Sequence, residues 1–330
     1  HANTTTTSLP ATVPVGGTAS LAVVLADSAA FSFSPWAEGF VPAIGEAHLA
    51  GAWEIDPATL DLVPDLVVAL PTTDNGGVVV RPDGSMSVTY RIRPEAVWED
   101  GRAVTGEDFA FTYEAVTGLG LPDPEAALYA EIDPESVIAA EKTITFTLPR
   151  ATMEYERLFG VVLPRHALTD DDPAADWAER PWPSAGPFRF LGWDESAGPP
   201  AQPGSIAVFE RNPAYWRTDA AGRALPYLDT VTFRLVTDAR GAVEAFALHQ
   251  LDAVDLGPWP DVVSRLRRLS GVALATGNGS SWEQISFQFG VNNRNQDSLN
   301  QSTSFRRAVA HALDRGRLTS LASWVNGGTL

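Results

Sequence analysis

Three stretches of the chain alternate strictly between apolar and polar residues, which predicts β-strands. Residues 86–92 place Met, Val, Tyr and Ile on one side and Ser, Thr and Arg on the other. This period of two buries one face of a strand. Residues 142–150 and 231–238 repeat the alternation. The apolar run 78–80 is joined to 86–92 through Pro82–Gly84, and because proline and glycine favour turns, the two runs predict a hairpin.

A helical period is clearest in residues 304–318, where apolar residues recur every three or four positions and therefore share one helix face. These residues are Phe305, Ala308, Val309, Ala312 and Leu313. Ser304 is the expected N-cap. A second helix is expected to open at Gly106, because Thr105 and Asp108 have the spacing of a capping box.

Weaker patterns complete the prediction. They indicate a strand over Ala19–Ala26, an aromatic-rich loop over Phe31–Phe40, loop and turn over Ile55–Val67, and helices over 242–250 and 261–269. Helices and antiparallel-type strands interleave without a regular βαβ order. The predicted fold class is therefore mixed α/β with several sheets.

Composition narrows the class of protein. The 330 residues predict about two domains, and 41 acidic against 23 basic residues give a formal charge of −18. This negative field repels phosphate backbones, so we expect no nucleic-acid partner. The absence of cysteine excludes disulfides and a Cys nucleophile. The five histidines lack the spacing of a zinc motif. We expect no metal, no cofactor and no catalytic residue.

Residues 1–15 are rich in Thr, Ser and Pro, which is typical of a flexible tether. They lack the basic region and apolar core of a signal peptide. No apolar run reaches the roughly 18 residues that span a bilayer. We expect this tether to follow a removed export signal, and the precursor to carry a lipid anchor.

The acidic stretch Ala96–Phe111 allows two interpretations. Glu99 and Asp100 precede a glycine in a turn, and Glu107 and Asp108 fall in the first turn of the expected helix. Carboxylates at a helix N-terminus satisfy free N–H groups, so a structural role is favoured. A carboxylate-dependent hydrolase using Glu99 and Glu107 is the alternative. The spacing does not match a calcium loop.

The run Val88–Val116 resembles the extracytoplasmic solute-binding proteins of ABC importers, in their peptide/nickel/oligopeptide-binding class (family 5). The resemblance lies in an alternating strand, the turn Trp98–Gly101, Thr105, and a helix that opens with Asp108 and Phe109. Further blocks follow in the family's order. They are Ser184–Asp194, Phe209–Arg217, Leu225–Asp238, Phe246–Pro258 (where Gln250 replaces the usual glycine) and 304–318.

This resemblance implies a periplasmic-binding-protein-like (type II, Venus-flytrap) two-lobed fold with an inserted domain. Lobe I is expected to comprise residues 16–50 and 170–272, and the inserted domain residues 51–169. Residues 273–330 are expected to begin lobe III. Family chains continue further, so we expect the lobe that closes over ligand to be largely missing, and binding by this chain alone to be weak.

The resemblance also implies a function. We expect the protein to bind an oligopeptide-like solute outside the cytoplasmic membrane, as a monomer, and to deliver it to an ABC permease after hinge closure. The alternative within the same resemblance is a regulatory lipoprotein that recognises an envelope glycolipid or glycan.

Five ligand-binding candidates follow from the resemblance, because clefts in this family are lined by aromatic and small polar groups. Phe33, Ser34 and Trp36 lie after the first strand, in one expected wall of the cleft. Trp282 and Asn292 flank the strand leading to the third segment. Plain packing is the competing role for each of them.

Overall fold

The computed structural model divides the chain into two compact units, residues 1–255 and 256–330. It describes residues 15–25, 31–37, 39–56, 59–118, 120–168, 181–254, 265–274, 286–287, 299–314 and 316–317. The strands are β1 Thr18–Val24, β2 Trp53–Ile55, β3 Leu62–Pro64, β4 Val78–Val80, β5 Met86–Arg91, β6 Ile138–Ala140, β7 Thr143–Leu148, β8 Phe188–Trp193, β9 Ile206–Arg211, β10 Thr230–Val236 and β11 Ala253–Val254.

Most helices are short. The α-helices are α1 Pro42–His48, α2 Gly106–Gly118, α3 Ala126–Tyr129, α4 Arg165–Leu168, α5 Ala239–Ala247 and α6 Thr303–Ala312. Single 3₁₀ turns occur at Pro134–Ser136, Glu154–Arg157, Glu195–Ala197 and Leu299–Gln301. Only α6 and the last of these turns belong to the unit 256–330.

A five-stranded sheet in the unit 1–255 has the order β11-β1-β10-β9-β8. Strand β1 runs parallel to β10 and β11, whereas β9 pairs antiparallel with β10 and β8. The alternation predicted for 231–238 is confirmed, because Val231, Phe233 and Leu235 are buried on one face. The predicted strand Ala19–Ala26 is observed as Thr18–Val24, and Ala26 lies outside the described residues.

A second sheet in the same unit has four strands in the order β4-β5-β7-β6, all antiparallel. Strand β4 pairs with β5 through the predicted turn, in which Gly84 has φ +88°. The inward residues Val88 and Tyr90 of β5, and Phe146 of β7, are almost fully buried. Helix α2 covers this face, with the Phe109 ring centroid 6.2 Å from that of Tyr90.

Three local predictions need correction. The stretch predicted as loop and turn over Ile55–Val67 contains the hairpin β2–β3, which lacks apolar alternation. Helix α6 is capped by Ser302 rather than Ser304, because Ser302 Oγ accepts a hydrogen bond from Phe305 N at 3.3 Å. The helix predicted over 242–250 is observed as α5, which begins three residues earlier behind an Asp238 N-cap.

The crossing between residues 50–52 and 158–162 joins the two sheets' regions of the chain. Ala52 N donates to Phe159 O at 2.7 Å, and Val162 N donates to Ala50 O at 2.9 Å. A side chain at Gly51 would have its Cβ only 2.2 Å from Gly160 O, so the two segments pack backbone to backbone. The domain boundaries expected at 50/51 and 169/170 stay a prediction.

Candidate functional site

The expected ligand wall is a compact loop that follows β1. Ser32 N donates to Gly39 O at 3.1 Å, and a bridge pairs Ser32 with Phe40. Inside the loop, Ala37 N donates to Ser34 O at 3.1 Å. These bonds give residues 31–40 a defined path, and the described residues of the loop carry no charged side chain.

Phe33 and Ser34 lie under this loop, because both side chains are buried. Phe33 is 4% exposed, and its ring centroid lies 4.8 Å from that of Phe31 and 4.9 Å from that of Phe190, both edge-on. Ser34 is 6% exposed, and its N–H donates to Ser32 Oγ at 3.1 Å. The ligand contacts expected of these two residues stay a prediction.

Trp36 keeps part of its ring exposed. Its Nε1 donates to Asp123 Oδ2 at 2.9 Å. Its ring is nearly parallel to that of Trp182, at an angle of 25° and a centroid separation of 6.3 Å. Trp182 itself is buried, in a cluster with Phe111 and other apolar residues of α2 and the following loop. The structure therefore brings Trp36 together with two residues that sequence reasoning did not single out.

The remaining two candidates, Trp282 and Asn292, lie outside the described residues. Asp123 and Trp182 were missed because they are far from Trp36 along the chain, with 87 positions separating Asp123 from it. Neither residue lies in a motif. Their contact with the loop depends on the packing of α2 and α4.

The acidic stretch Ala96–Phe111 is bound into the scaffold. Glu99 Oε2 accepts from Ser184 N at 2.9 Å, while Glu99 N donates to Ser184 O at 2.7 Å. Burial raises the pKa of Glu99. Asp108 is 4% exposed, and it accepts from Thr105 N at 2.8 Å and from Arg165 N at 3.0 Å. The reciprocal half of the predicted capping box is thus confirmed.

The other two carboxylates of this stretch also have partners. Asp100 Oδ2 lies 2.8 Å from His166 Nε2, and Glu107 Oε2 lies 2.8 Å from Arg165 Nη1. Each carboxylate therefore has a structural partner, as the favoured interpretation predicts. The hydrolase alternative would require Glu99 and Glu107 to be available to a substrate, and both already make hydrogen bonds within the protein.

A second polar cluster surrounds Trp216. The Arg93 and Arg217 guanidinium carbons lie 4.7 Å and 5.4 Å from its ring centroid. Arg217 also pairs with Glu54 at 2.7 Å and with Asp65 at 3.3 Å. Desolvation raises the pKa of Asp65 to about 6 even though Arg217 opposes the shift. This cluster connects the loop after β9 with the hairpin β2–β3.

Within the described ranges, His, Asp and Glu side chains form no group of three that could hold a metal ion. None of the helices in that part of the chain is long and apolar enough to cross a bilayer.

The family model described as "Bacterial extracellular solute-binding proteins, family 5 Middle" matches residues 70–327. The oligopeptide-binding protein OppA of Mycobacterium tuberculosis is 26% identical over 279 residues, which cover 81% of this chain and 43% of the relative. Both names describe binding proteins rather than enzymes.

Two solved structures share the fold. The periplasmic EDTA-binding protein EppA has a TM-score of 0.58 and 24% identity, over 77% of this chain and 46% of its own. The oligopeptide-binding protein AppA from Bacillus subtilis, in complex with a nonapeptide, has a TM-score of 0.57 and 18% identity, over 76% and 46%. The predicted α/β, periplasmic-binding-protein-like fold is confirmed. The chain spans less than half the length of these three proteins.

Proposed function

Because the chain belongs to family 5 of the bacterial extracellular solute-binding proteins, we propose that its protein binds an oligopeptide-like solute outside the cytoplasmic membrane. The solute is handed unchanged to an ABC permease. The family match is the observation that carries this proposal. Lipid anchoring of the precursor and a monomeric state belong to the same proposal.

The wall formed by residues 31–40 supports a solute held by apolar contact and backbone hydrogen bonds. Its described residues are uncharged, and Trp36 offers ring surface at the edge of a buried aromatic cluster. Sites of this kind combine an apolar lining with a few placed polar groups. Phe33 and Ser34 support the wall from beneath or contact the solute directly, and Trp282 and Asn292 complete the set of ligand residues.

Isothermal titration of the complete gene product with alanine pentapeptides tests the proposal. We expect Trp36→Ala to weaken binding about tenfold, because partly exposed aromatic side chains dominate binding energies. Trp36→Phe keeps an aromatic ring and should stay within a few-fold of wild type. Equal affinities for wild type and Trp36→Ala would remove Trp36 from the site. A folded wild-type protein that binds no peptide would contradict the function itself.

A further inference from the structure

We propose that Asp123 is a positioning residue: its carboxylate fixes the indole of Trp36, and thereby sets the preference of the site for solutes that carry an aromatic ring. This inference rests on the function proposed above and deepens it. Asp123 touches no solute in this arrangement and acts only through Trp36.

The hydrogen bond from Trp36 to Asp123 is well formed. The distance from Nε1 to Oδ2 is 2.9 Å, which is typical of a strong bond to an ionised acceptor. An indole has a single N–H donor, so this bond sets the direction in which the edge of the ring points.

The carboxylate of Asp123 is itself held in place. Its other oxygen, Oδ1, accepts from Glu125 N at 2.7 Å. The backbone on both sides is bonded as well, since Asp123 N donates to Leu121 O at 2.8 Å and Ala126 N donates to Asp123 O at 3.0 Å. Helix α3 begins at Ala126, so the acceptor sits on a turn anchored by a helix.

A second contact restricts the face of the Trp36 ring. The Trp182 ring lies 6.3 Å away at an angle of 25°, and Trp182 is only 5% exposed. One contact therefore acts on the ring edge and the other on the ring plane. Together they hold the half-buried indole in one orientation, and its exposed part forms a flat surface with a fixed direction.

A fixed flat surface favours planar partners. Aromatic pairs gain energy beyond their buried area only in particular geometries, stacked or edge-on. A ring that rotates freely gains less, because ordering it upon binding costs entropy. Since both oxygens of Asp123 already accept hydrogen bonds, its charge is committed to the scaffold. The residue is therefore expected to affect the choice of ring-bearing solutes rather than of cationic ones.

A peptide panel tests the inference. It consists of alanine pentapeptides with one Phe or one Leu at each of the five positions, titrated into the complete gene product. We expect wild type to prefer Phe over Leu about fivefold in at least one position. Asp123→Ala should reduce this ratio to about one. Asp123→Asn should retain most of it, because the amide oxygen still accepts from the indole.

A double-mutant cycle separates positioning from general loss of structure. In a Trp36→Phe background there is no indole N–H, so Asp123→Ala should leave the Phe/Leu ratio unchanged. Thermal melting of each variant confirms that it is folded. In addition, the ¹⁵N-indole resonance that disappears in Trp36→Phe should shift, and exchange faster with solvent, in Asp123→Ala.

The outcomes distinguish the two levels of the proposal. If wild type binds these peptides and Asp123→Ala keeps both the ratio and the indole resonance, the inference about Asp123 is wrong while the function stands. If Asp123→Ala weakens all peptides equally, the residue is structural and the inference is again wrong. If folded wild type binds none of the peptides, both proposals fail together.

Discussion

Arg217 Nη2 lies 3.3 Å from Asp65 Oδ1, and this pair joins two segments that are distant in the sequence. Arg217 belongs to the connection between β9 and β10, and Asp65 follows β3. The ion pair is not strong enough to offset the desolvation of the carboxylate, since the pKa of Asp65 is raised to about 6. The pair therefore makes the stability of the fold depend on pH.

We predict that Asp65 stabilises the fold more at pH 4 than at pH 7. Its pKa in the folded state is above the ordinary value, so the stabilising proton is bound below about pH 4 and lost as the pH rises through about 6. The free energy of unfolding of Asp65→Asn, relative to wild type, should rise by about 2 to 3 kcal/mol from pH 4 to pH 7. Urea unfolding at both pH values measures this difference. Asp61→Asn, an exposed carboxylate of the same hairpin, is the control. Parallel curves for wild type and Asp65→Asn would contradict the prediction.

His48 should have the opposite effect. Burial lowers its pKa to about 4, and a backbone contact with Phe188 opposes this only in part. A lowered histidine pKa contributes stability above the ordinary value of about 6.5 that is lost as the pH falls toward 4. Replacing His48 with Leu should remove about 3 kcal/mol of destabilisation between pH 7 and pH 4.

Unfolding curves at pH 4 and pH 7 test the role of His48. His249→Asn serves as the control, because His249 is exposed and its φ of +56° suits asparagine. An acid sensitivity that is equal in wild type and His48→Leu would show that another group is responsible.

The acidic stretch should matter for stability through Asp108. Asp108→Ala leaves the N–H groups of Thr105 and Arg165 without their acceptor, and a buried donor without a partner costs about 1 to 3 kcal/mol. We expect the variant to lose about 3 kcal/mol. Glu107→Gln, which only weakens an exposed ion pair with Arg165, should stay within about 1 kcal/mol. Equal losses for the two variants would contradict the structural role of Asp108.

The sheets could be predicted where strands are half-buried. Tyr90 and Phe146 stand on alternating positions because each strand has one face on the core, so a period of two was visible in the sequence. The hairpin β2–β3 has no such period. Its strands of three residues are only partly buried, and nothing in their sequence distinguishes them from a loop.

The candidate site was predictable only in part. The loop containing Trp36 follows from the order of the motifs, but burial of Phe33 depends on Phe31 and Phe190 meeting it from other segments. The hydrogen bond from Trp36 to Asp123 spans 87 positions. A contact of this kind arises from the packing of whole elements, which no local pattern encodes.

The central claim is that the protein binds a peptide-like solute, and native mass spectrometry of the complete gene product tests it most directly. The protein would be sprayed as purified, and then after addition of an equimolar pentapeptide mixture. We predict a one-to-one complex whose added mass is that of a peptide, released on mild activation. A folded protein that shows only its own mass with every mixture would contradict the claim, and an adduct with the mass of a glycolipid would replace the peptide with a different solute.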